Sequence, residues 1–278
     1  MTALELSDCF GETLYDSNRD TYHQRTGSGG LFCDVVVYQP QDTGRSPVDS
    51  FWALGMVIMG LTTYAQTAGA PDRKLLLLTL CAIWGLRLGI YMLRRWKMHG
   101  PDRRYQTMLG KAESQKGWGF AQSSLRMVYL IQAPLLFIVC LPVQLGQIDA
   151  HPTVGLLGYF GAGLTVAGIL FESIGDWQLA KFKANPANDG LVMDKGLWRY
   201  TRHPNYFGDA CVWWGLYAVA CETPTGIWAL PGPILLTWTL TKWSGVPTIE
   251  NRMKRKKPGY DAYVRRTAAF VPWFPKRD

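Results

Sequence analysis

Charged side chains are nearly absent from six windows of this 278-residue chain, although they are crowded in the segments between. The mean hydropathy of -0.03, an ordinary value for a soluble protein, therefore hides a strong segregation. About 20 apolar helical residues cross the ~30 Å hydrocarbon core of a membrane, so these windows favour spanning helices over a large soluble α-helical domain. The candidate spans are 51–69, 76–93, 127–146, 154–174, 206–221 and 227–243.

Three familiar signatures are also missing from the sequence. The six cysteines include no C-x-x-C pair, which argues against a zinc site or a disulfide framework, and no metal is expected. No G-x-G-x-x-G follows a strand pattern, which argues against a Rossmann domain. The first 30 residues lack the apolar core of a cleavable signal peptide.

The polar beginning of the chain differs from the rest. Residues 1–46 are weakly patterned, and their only apolar patch, residues 31–38, is too short to span a membrane. We expect 1–46 to form a flexible arm and 47–278 to form an all-α, polytopic membrane helix bundle.

Positive charge indicates how such a bundle would be oriented. Lysine and arginine are concentrated before residue 46 and in 94–126, 175–204 and 252–278, whereas the alternate loops hold only Arg73 and Lys74. An excess of these residues marks the cytosolic side, so six spans place both termini in the cytosol. The same bias, with anionic lipid headgroups, accounts for the net charge of +8 without a nucleic-acid partner.

A dense polar motif stands directly before the fifth window. Residues 199–209 read Arg-Tyr-Thr-Arg-His-Pro-Asn-Tyr-Phe-Gly-Asp. Pro204 suits the first turn of a helix, which predicts a helix N-terminus with the geometry of an anion site. His203 on its own is explained as well by a helix cap or an interfacial aromatic residue.

The second window contains an arginine at membrane depth. Arg87 and Tyr91 are four residues apart and share one helical face. Arg87 is expected either to face the bundle interior and bind an acid or a phosphate, or to snorkel to the surface.

Acidic residues at two other places need partners. Glu172 and Asp176 share a face at the end of the fourth window, where Arg202, Lys181 or ligand hydroxyls would pair with them. Glu250, at the start of a basic segment, is a candidate to bind a ligand hydroxyl or an arginine.

Four motifs in order resemble a known family. These are residues 175–183, 196–209, 246–250 and 258–273. They resemble uncharacterised membrane proteins grouped with the steroid 5α-reductase C-terminal domain, and more distantly sterol reductases and isoprenylcysteine carboxyl methyltransferases. The resemblance implies a membrane bundle that holds NADPH at its cytosolic mouth and admits an apolar substrate from the lipid.

Individual positions can be carried over from the resemblance. Residues 205–209 match the Asn-x-x-Gly-Glu element that holds the cofactor, with aspartate for glutamate. Asp176, Lys183 and Arg104 match an acid, a base and a loop arginine of the same site. The chain departs from the steroid enzymes where they polarise the ketone: it offers only Asp49 at their Gln-Glu pair, and Trp84 at their tyrosine. It also lacks the membrane span with which these relatives usually begin.

These observations lead to two hypotheses. The first is an NADPH-dependent reductase of an activated C=C bond in a steroid-like or other lipid, in the endoplasmic reticulum of a eukaryote or the inner membrane of a bacterium. Tyr91 would donate the proton, with Arg87 or Asp49 orienting it. The alternative is an S-adenosylmethionine-dependent methyltransferase of a lipid or prenylcysteine. Phosphates would be held by Arg104, Lys183, Arg202 and His203, and the other cofactor groups by Glu172, Asp176, Asn205, Tyr206, Asp209 and Glu250.

Overall fold

The part of the protein that the structure describes is mostly helical. A computed structural model describes residues 48–99, 103–150 and 153–276, so the predicted arm at 1–46 lies outside the described residues. Within those ranges the chain forms no β-strand, and one isolated parallel bridge joins Thr201 to Ala268. The predicted all-α class is confirmed.

Ten α-helices, two of them containing π-helical turns, follow one another along the described chain, together with the short 3₁₀ helices Pro186–Asn188, Gly196–Arg199 and Gly226–Ala229. The α-helices are α1 (Val48–Gln66), α2 (Pro71–His99), α3 (Arg103–Lys116), α4 (Phe120–Ser124, the π turn Leu125–Tyr129 and Leu130–Val139), α5 (Leu141–Leu145), α6 (Leu156–Ala184), α7 (Pro204–Ala220), α8 (Pro231–Trp238 and the π turn Thr239–Trp243), α9 (Val246–Lys256) and α10 (Tyr260–Arg266).

Three helical stretches are long and apolar enough to cross a membrane. They are Pro71–Met98, Gln122–Val139 and Leu156–Ala184, and they indicate a membrane protein. The windows predicted at 206–221 and 227–243 correspond to the 17-residue α7 and to α8 with its π turn. A count of six spans therefore stays a prediction.

Helices α6 and α7 run antiparallel and approach each other through glycines. A Cβ on Gly168 would lie 2.6 Å from the carbonyl oxygen of Gly208, and one on Gly215 would lie 2.5 Å from that of Gly161. In a membrane, helices associate through such small residues, because lipid offers no hydrophobic driving force between them. The glycines thus fix how closely and in which register the two helices pack.

Helix α2 packs against this pair with the same direction as α6. The indole of Trp84 meets that of Trp213 on α7 edge to face, with ring centroids 5.2 Å apart. Toward α6, Trp84 lies at the level of Glu172 and Arg87 at the level of Asp176. Because residue numbers rise together along both helices, α2 and α6 are parallel.

The three loops predicted to be poor in positive charge meet at one end of the bundle. Arg73 is buried, pairs with Glu222 at 3.2 Å and donates a 2.6 Å hydrogen bond to the Thr153 carbonyl. Burial alone would raise the pKa of Glu222, but N–H groups of Gly155 and Gly158 donate to its carboxylate and keep that pKa below its usual range. This ion pair ties the starts of α2 and α6 to the end of α7.

Candidate functional site

Arg87 is the centre of a polar network inside the bundle. Its Nη1 donates to Glu172 Oε1 at 3.0 Å, its Nη2 to Asp176 Oδ2 at 2.8 Å, and its Nε to the Ser173 hydroxyl at 2.9 Å. Of the two alternatives predicted for Arg87, the structure shows the interior position with acidic partners rather than snorkelling to the surface. Arg87, rather than Arg202 or Lys181, is the cation that pairs with the two carboxylates.

The two carboxylates are removed from water. Glu172 is 3% exposed and Asp176 is 6% exposed, and the Trp84 indole donates to Glu172 at 3.2 Å. Charges at such sites are stable only when they are paired and hydrogen-bonded. Their i, i+4 spacing on α6 lets one guanidinium reach both.

Tyr91, Asn205 and Asp209 surround this network. The Arg87 guanidinium carbon lies 5.8 Å from the Tyr91 ring centre, and Asn205 lies beside the Asp176 carboxylate. Asp209 is within electrostatic range of Arg87 and lies beside the indoles of Trp84 and Trp213, while its buried Oδ1 makes no close hydrogen bond to a described residue. Three of the predicted site residues, from α2 and α7, thus gather around the Arg87 network.

A second cluster holds the segment that precedes α7. Glu250 Oε1 accepts from Arg202 Nε at 2.8 Å and lies 3.1 Å from His203 Nε2. Arg202 Nη1 also donates to the carbonyls of Val264 and Thr267. The prediction that Glu250 binds an arginine is confirmed, and Arg202 joins α9 and the end of α10 to the beginning of α7.

His203 occupies the N-cap position of α7, but its side chain does not cap the helix. Its ring stacks on that of Tyr206, with centroids 5.5 Å apart and an interplanar angle of 7°. Pro204 is the first residue of α7, as predicted, and it packs against Gly175 of α6. Whether His203 and Tyr206 contact a ligand stays a prediction.

We expect Glu250→Gln to destabilise the protein at neutral pH by about 2 kcal/mol, because it removes hydrogen bonds to a charged group. Burial alone would raise the pKa of Glu250, but the His203 and Arg202 hydrogen bonds outweigh it and lower that pKa to about 2. The stabilisation is therefore present above the usual glutamate pKa of about 4.3 and disappears as pH falls toward about 2. Unfolding in detergent followed by circular dichroism measures the difference at each pH.

The control for this variant is Asp261→Asn, which changes an exposed carboxylate on neighbouring α10. Its stability should stay near that of the wild type at every pH. A Glu250→Gln deficit that is the same in acid as at neutral pH would contradict the assigned ion pair.

Four positively charged side chains lie next to the Arg87 network. Only one of them, Lys183, was predicted from the sequence as a site residue. Lys183 is within electrostatic range of Arg95, Arg252 and Lys257. Lys257 donates to the Leu191 carbonyl and lies over the Phe182 ring, 5.8 Å from its centroid. These four residues are called the basic quartet below.

The parallel pairing of α2 and α6 explains part of the quartet. Arg95 is eight residues beyond Arg87, and Lys183 is seven residues beyond Asp176. Two parallel helices that touch at Arg87 and Asp176 therefore bring Arg95 and Lys183 side by side two turns later. The i, i+8 spacing of Arg87 and Arg95 was a usable signal, whereas Arg252 and Lys257 depend on how the C-terminal part folds back.

Two predicted residues have side chains outside the described part of the protein. Asp49 is in the first described turn of α1, Val48–Gln66. Ala53 packs against Gly85, which places the start of α1 at the Tyr91 end of α2. Arg104 is in the first turn of α3.

Comparison with known proteins identifies a family but no characterised relative. The family model described as "Protein of unknown function (DUF1295)" matches residues 36–267. No curated protein matches the chain, and neither does any solved structure. Because the family match spans most of the sequence, this protein belongs to the DUF1295 family.

Proposed function

We propose that this protein is a membrane-embedded, NADPH-dependent reductase of an activated C=C bond in a lipid substrate, distantly related to the steroid 5α-reductases. One observation carries the proposal: a hydrogen-bonded network of Arg87, Glu172 and Asp176 lies inside an apolar bundle, with the basic quartet beside it. Charged groups buried within a bundle of membrane-spanning helices are costly and mark functional sites.

The residues present suit a dinucleotide that carries several phosphates. The basic quartet supplies four cations from three segments of the chain, which is the complement of closely spaced negative charges. Asn205 and the buried Oδ1 of Asp209 offer an amide and an acceptor to ribose or carboxamide groups. In this proposal Arg202, His203 and Glu250 fix the start of α7, which carries both residues.

The chemistry is divided between the cofactor and the chain. NADPH, when bound, supplies the reducing equivalents. Tyr91 Oη donates the proton that polarises the substrate carbonyl, and Arg87, beside the Tyr91 ring, holds the phenol in place. Asp49, at the same end of the bundle, is the further candidate for orienting the substrate. Arg104 completes the phosphate contacts from α3.

The topology belongs to the same proposal. Six helices cross the membrane, both termini face the cytosol, and the site opens toward the cytosol, where NADPH is available. The supporting observation is that the loops around Arg73, Thr153 and Glu222 meet at the end of the bundle opposite to Arg87. The abundance of lysine and arginine in the remaining loops favours the cytosolic assignment for the Arg87 end.

Binding measurements on detergent-purified protein test the proposal directly. NADPH, NADH and S-adenosylmethionine are titrated separately by calorimetry. We expect saturable binding of NADPH and weaker binding of NADH, because NADH lacks the 2′-phosphate that the quartet would contact. Saturable binding of S-adenosylmethionine alone would overturn the reductase and favour the methyltransferase.

Two variants connect this binding to the structure. We expect Lys183→Glu to weaken NADPH binding at least tenfold, since it reverses one charge of the quartet, and Asn205→Ala to weaken it by a similar factor. Lys181→Glu is the matched control: Lys181 lies on the same helix but stacks over Trp177, away from the quartet. Equal losses of affinity for Lys181→Glu and Lys183→Glu would mean that the quartet is not the phosphate site.

A further inference from the structure

The last residues described in the structure form an apolar surface that is held firmly in place. Val271 is 61% exposed, Trp273 is 71% exposed and Phe274 is 77% exposed. We call residues 268–276 the C-terminal strap. Contiguous exposed aromatic residues of this size usually mark an interaction surface.

Main-chain hydrogen bonds fix the strap against the segment before α7. Arg202 N donates to the Ala268 carbonyl and Trp273 N to the Tyr200 carbonyl, each at 2.9 Å, while Lys276 N donates to the Arg266 carbonyl at 2.9 Å. The Thr201 hydroxyl donates to the Phe270 carbonyl at 2.8 Å. The aromatic side chains are therefore presented outward by an ordered backbone.

The strap continues the apolar surface of the spanning helices. Phe171 on α6 contacts Phe207 on α7 with centroids 5.4 Å apart, and Phe207 contacts Phe270 of the strap at 5.9 Å. Tyr200 and Phe274 form a separate aromatic pair, with centroids 6.3 Å apart. An unbroken row of aromatic rings thus leads from a membrane-spanning helix to the strap.

The strap also lies level with a tryptophan and a lysine near the end of α6, where we expect this helix to leave the membrane. The Trp198 indole, just before Tyr200, donates to the Gly175 carbonyl at 3.0 Å. Two residues further along α6, Trp177 is exposed, and the Lys181 ammonium lies over its ring, 5.3 Å from the ring centre. Tryptophan and lysine at a helix end are typical of the boundary between acyl chains and headgroups.

Positive charge flanks the exposed aromatic residues. Arg199, Arg265 and Lys276 are all exposed. Aromatic side chains beside lysine and arginine complement acyl chains and anionic headgroups respectively. We propose that the C-terminal strap is an interfacial anchor, which lies flat at the acyl–headgroup boundary of the same membrane and binds anionic phospholipid.

The anchor is coupled to the candidate site through shared backbone. The carbonyl of Ala268, the first residue of the strap, accepts a hydrogen bond from the main-chain N–H of Arg202. The carbonyl of Thr267, just before the strap, accepts one from the Arg202 side chain. Arg202 in turn holds Glu250. Contact of the strap with lipid would therefore steady the beginning of α7, whichever ligand the site binds.

A fluorescent amino acid that is sensitive to its environment tests the anchor. It replaces Phe274 in full-length protein reconstituted in phosphatidylcholine nanodiscs, with and without phosphatidylglycerol, and it replaces exposed Asp189 as the control. At position 274 we expect blue-shifted emission, quenching by a shallow nitroxide lipid and protection from aqueous iodide. At position 189 we expect the reverse.

The same probe shows whether something other than lipid covers the strap, and whether lipid charge matters. Emission at position 274 that iodide quenches as strongly as at 189 would overturn the anchor. Protection from both quenchers, together with dimers in the nanodiscs, would assign the surface to a second copy of the chain. We also expect phosphatidylglycerol to increase the blue shift, and Arg265→Glu with Lys276→Glu to abolish that increase; no response to phosphatidylglycerol would contradict the binding of anionic lipid.

Discussion

Gly168→Ala is expected to destabilise the protein severely, whereas Gly163→Ala on the same helix should have no adverse effect. The added methyl of Gly168→Ala would lie 2.6 Å from the Gly208 carbonyl oxygen, which is backbone and cannot rotate away. Overpacking costs about 1–3 kcal/mol where side chains can shift and more where they cannot. Gly163 has no atom within 4 Å of such a methyl, so alanine there should be neutral or stabilising by up to ~1 kcal/mol.

Loss of helicity during titration with sodium dodecyl sulfate measures this difference, and size-exclusion chromatography shows whether each variant stays monodisperse. Gly215→Ala provides an independent repeat on α7, because its methyl would lie 2.5 Å from the Gly161 carbonyl oxygen. Should Gly168→Ala and Gly163→Ala unfold at the same detergent concentration, the close packing of α6 on α7 would be wrong.

Arg87→Met is expected to cost about 3–5 kcal/mol of stability and to abolish NADPH binding. The substitution keeps an unbranched apolar chain but leaves the carboxylates of Glu172 and Asp176 without their cation, and breaking a buried ion pair in this way carries a penalty of that size. Arg94→Met, which removes an exposed arginine from the same helix, is the control and should be close to neutral.

A rescue experiment separates the ion pairs from a general packing defect. Glu172→Gln and Asp176→Asn together remove the negative charges that Arg87→Met leaves behind. We expect the triple variant to recover most of the lost stability but none of the NADPH affinity, since it also removes the carboxylates of Glu172 and Asp176, which are themselves expected to bind the cofactor. If Arg87→Met is as stable as Arg94→Met, the guanidinium does not hold α2 against α6.

Local features of the fold were predictable from the sequence because they depend on neighbouring residues. The fixed φ of Pro204 predicted the first turn of α7, and the spacing of Glu172 and Asp176 predicted one acidic face. The end of α6 was less predictable. Its apolar window stops near residue 174, but the helix continues to Ala184, because charged residues end a membrane span without ending a helix.

It was harder to predict which residues of the candidate site pair with each other than to predict which residues belong to it. The sequence indicated that Arg87 needs an acid or a phosphate as its partner, but it did not indicate which residue. The pairing depends on how α2 and α6 are aligned, and Arg87 and Asp176 are 89 positions apart in the chain. It proposed Arg202 or Lys181 for the acids of α6, although Arg202 is taken by Glu250. The basic quartet needs three separate segments to converge, which no local pattern contains.

The parallel arrangement of α2 and α6 has a consequence for how the chain is made. Parallel neighbours cannot be joined by a tight turn, so Arg87 leaves the ribosome long before Asp176 is available, 89 residues later. At ~10 residues per second this interval is about nine seconds, a long time for an arginine in an apolar helix to lack its acidic partners. The nascent α2 must therefore wait near the headgroups or the insertion machinery, and Asp176 sets the earliest moment at which the charged core can close during synthesis.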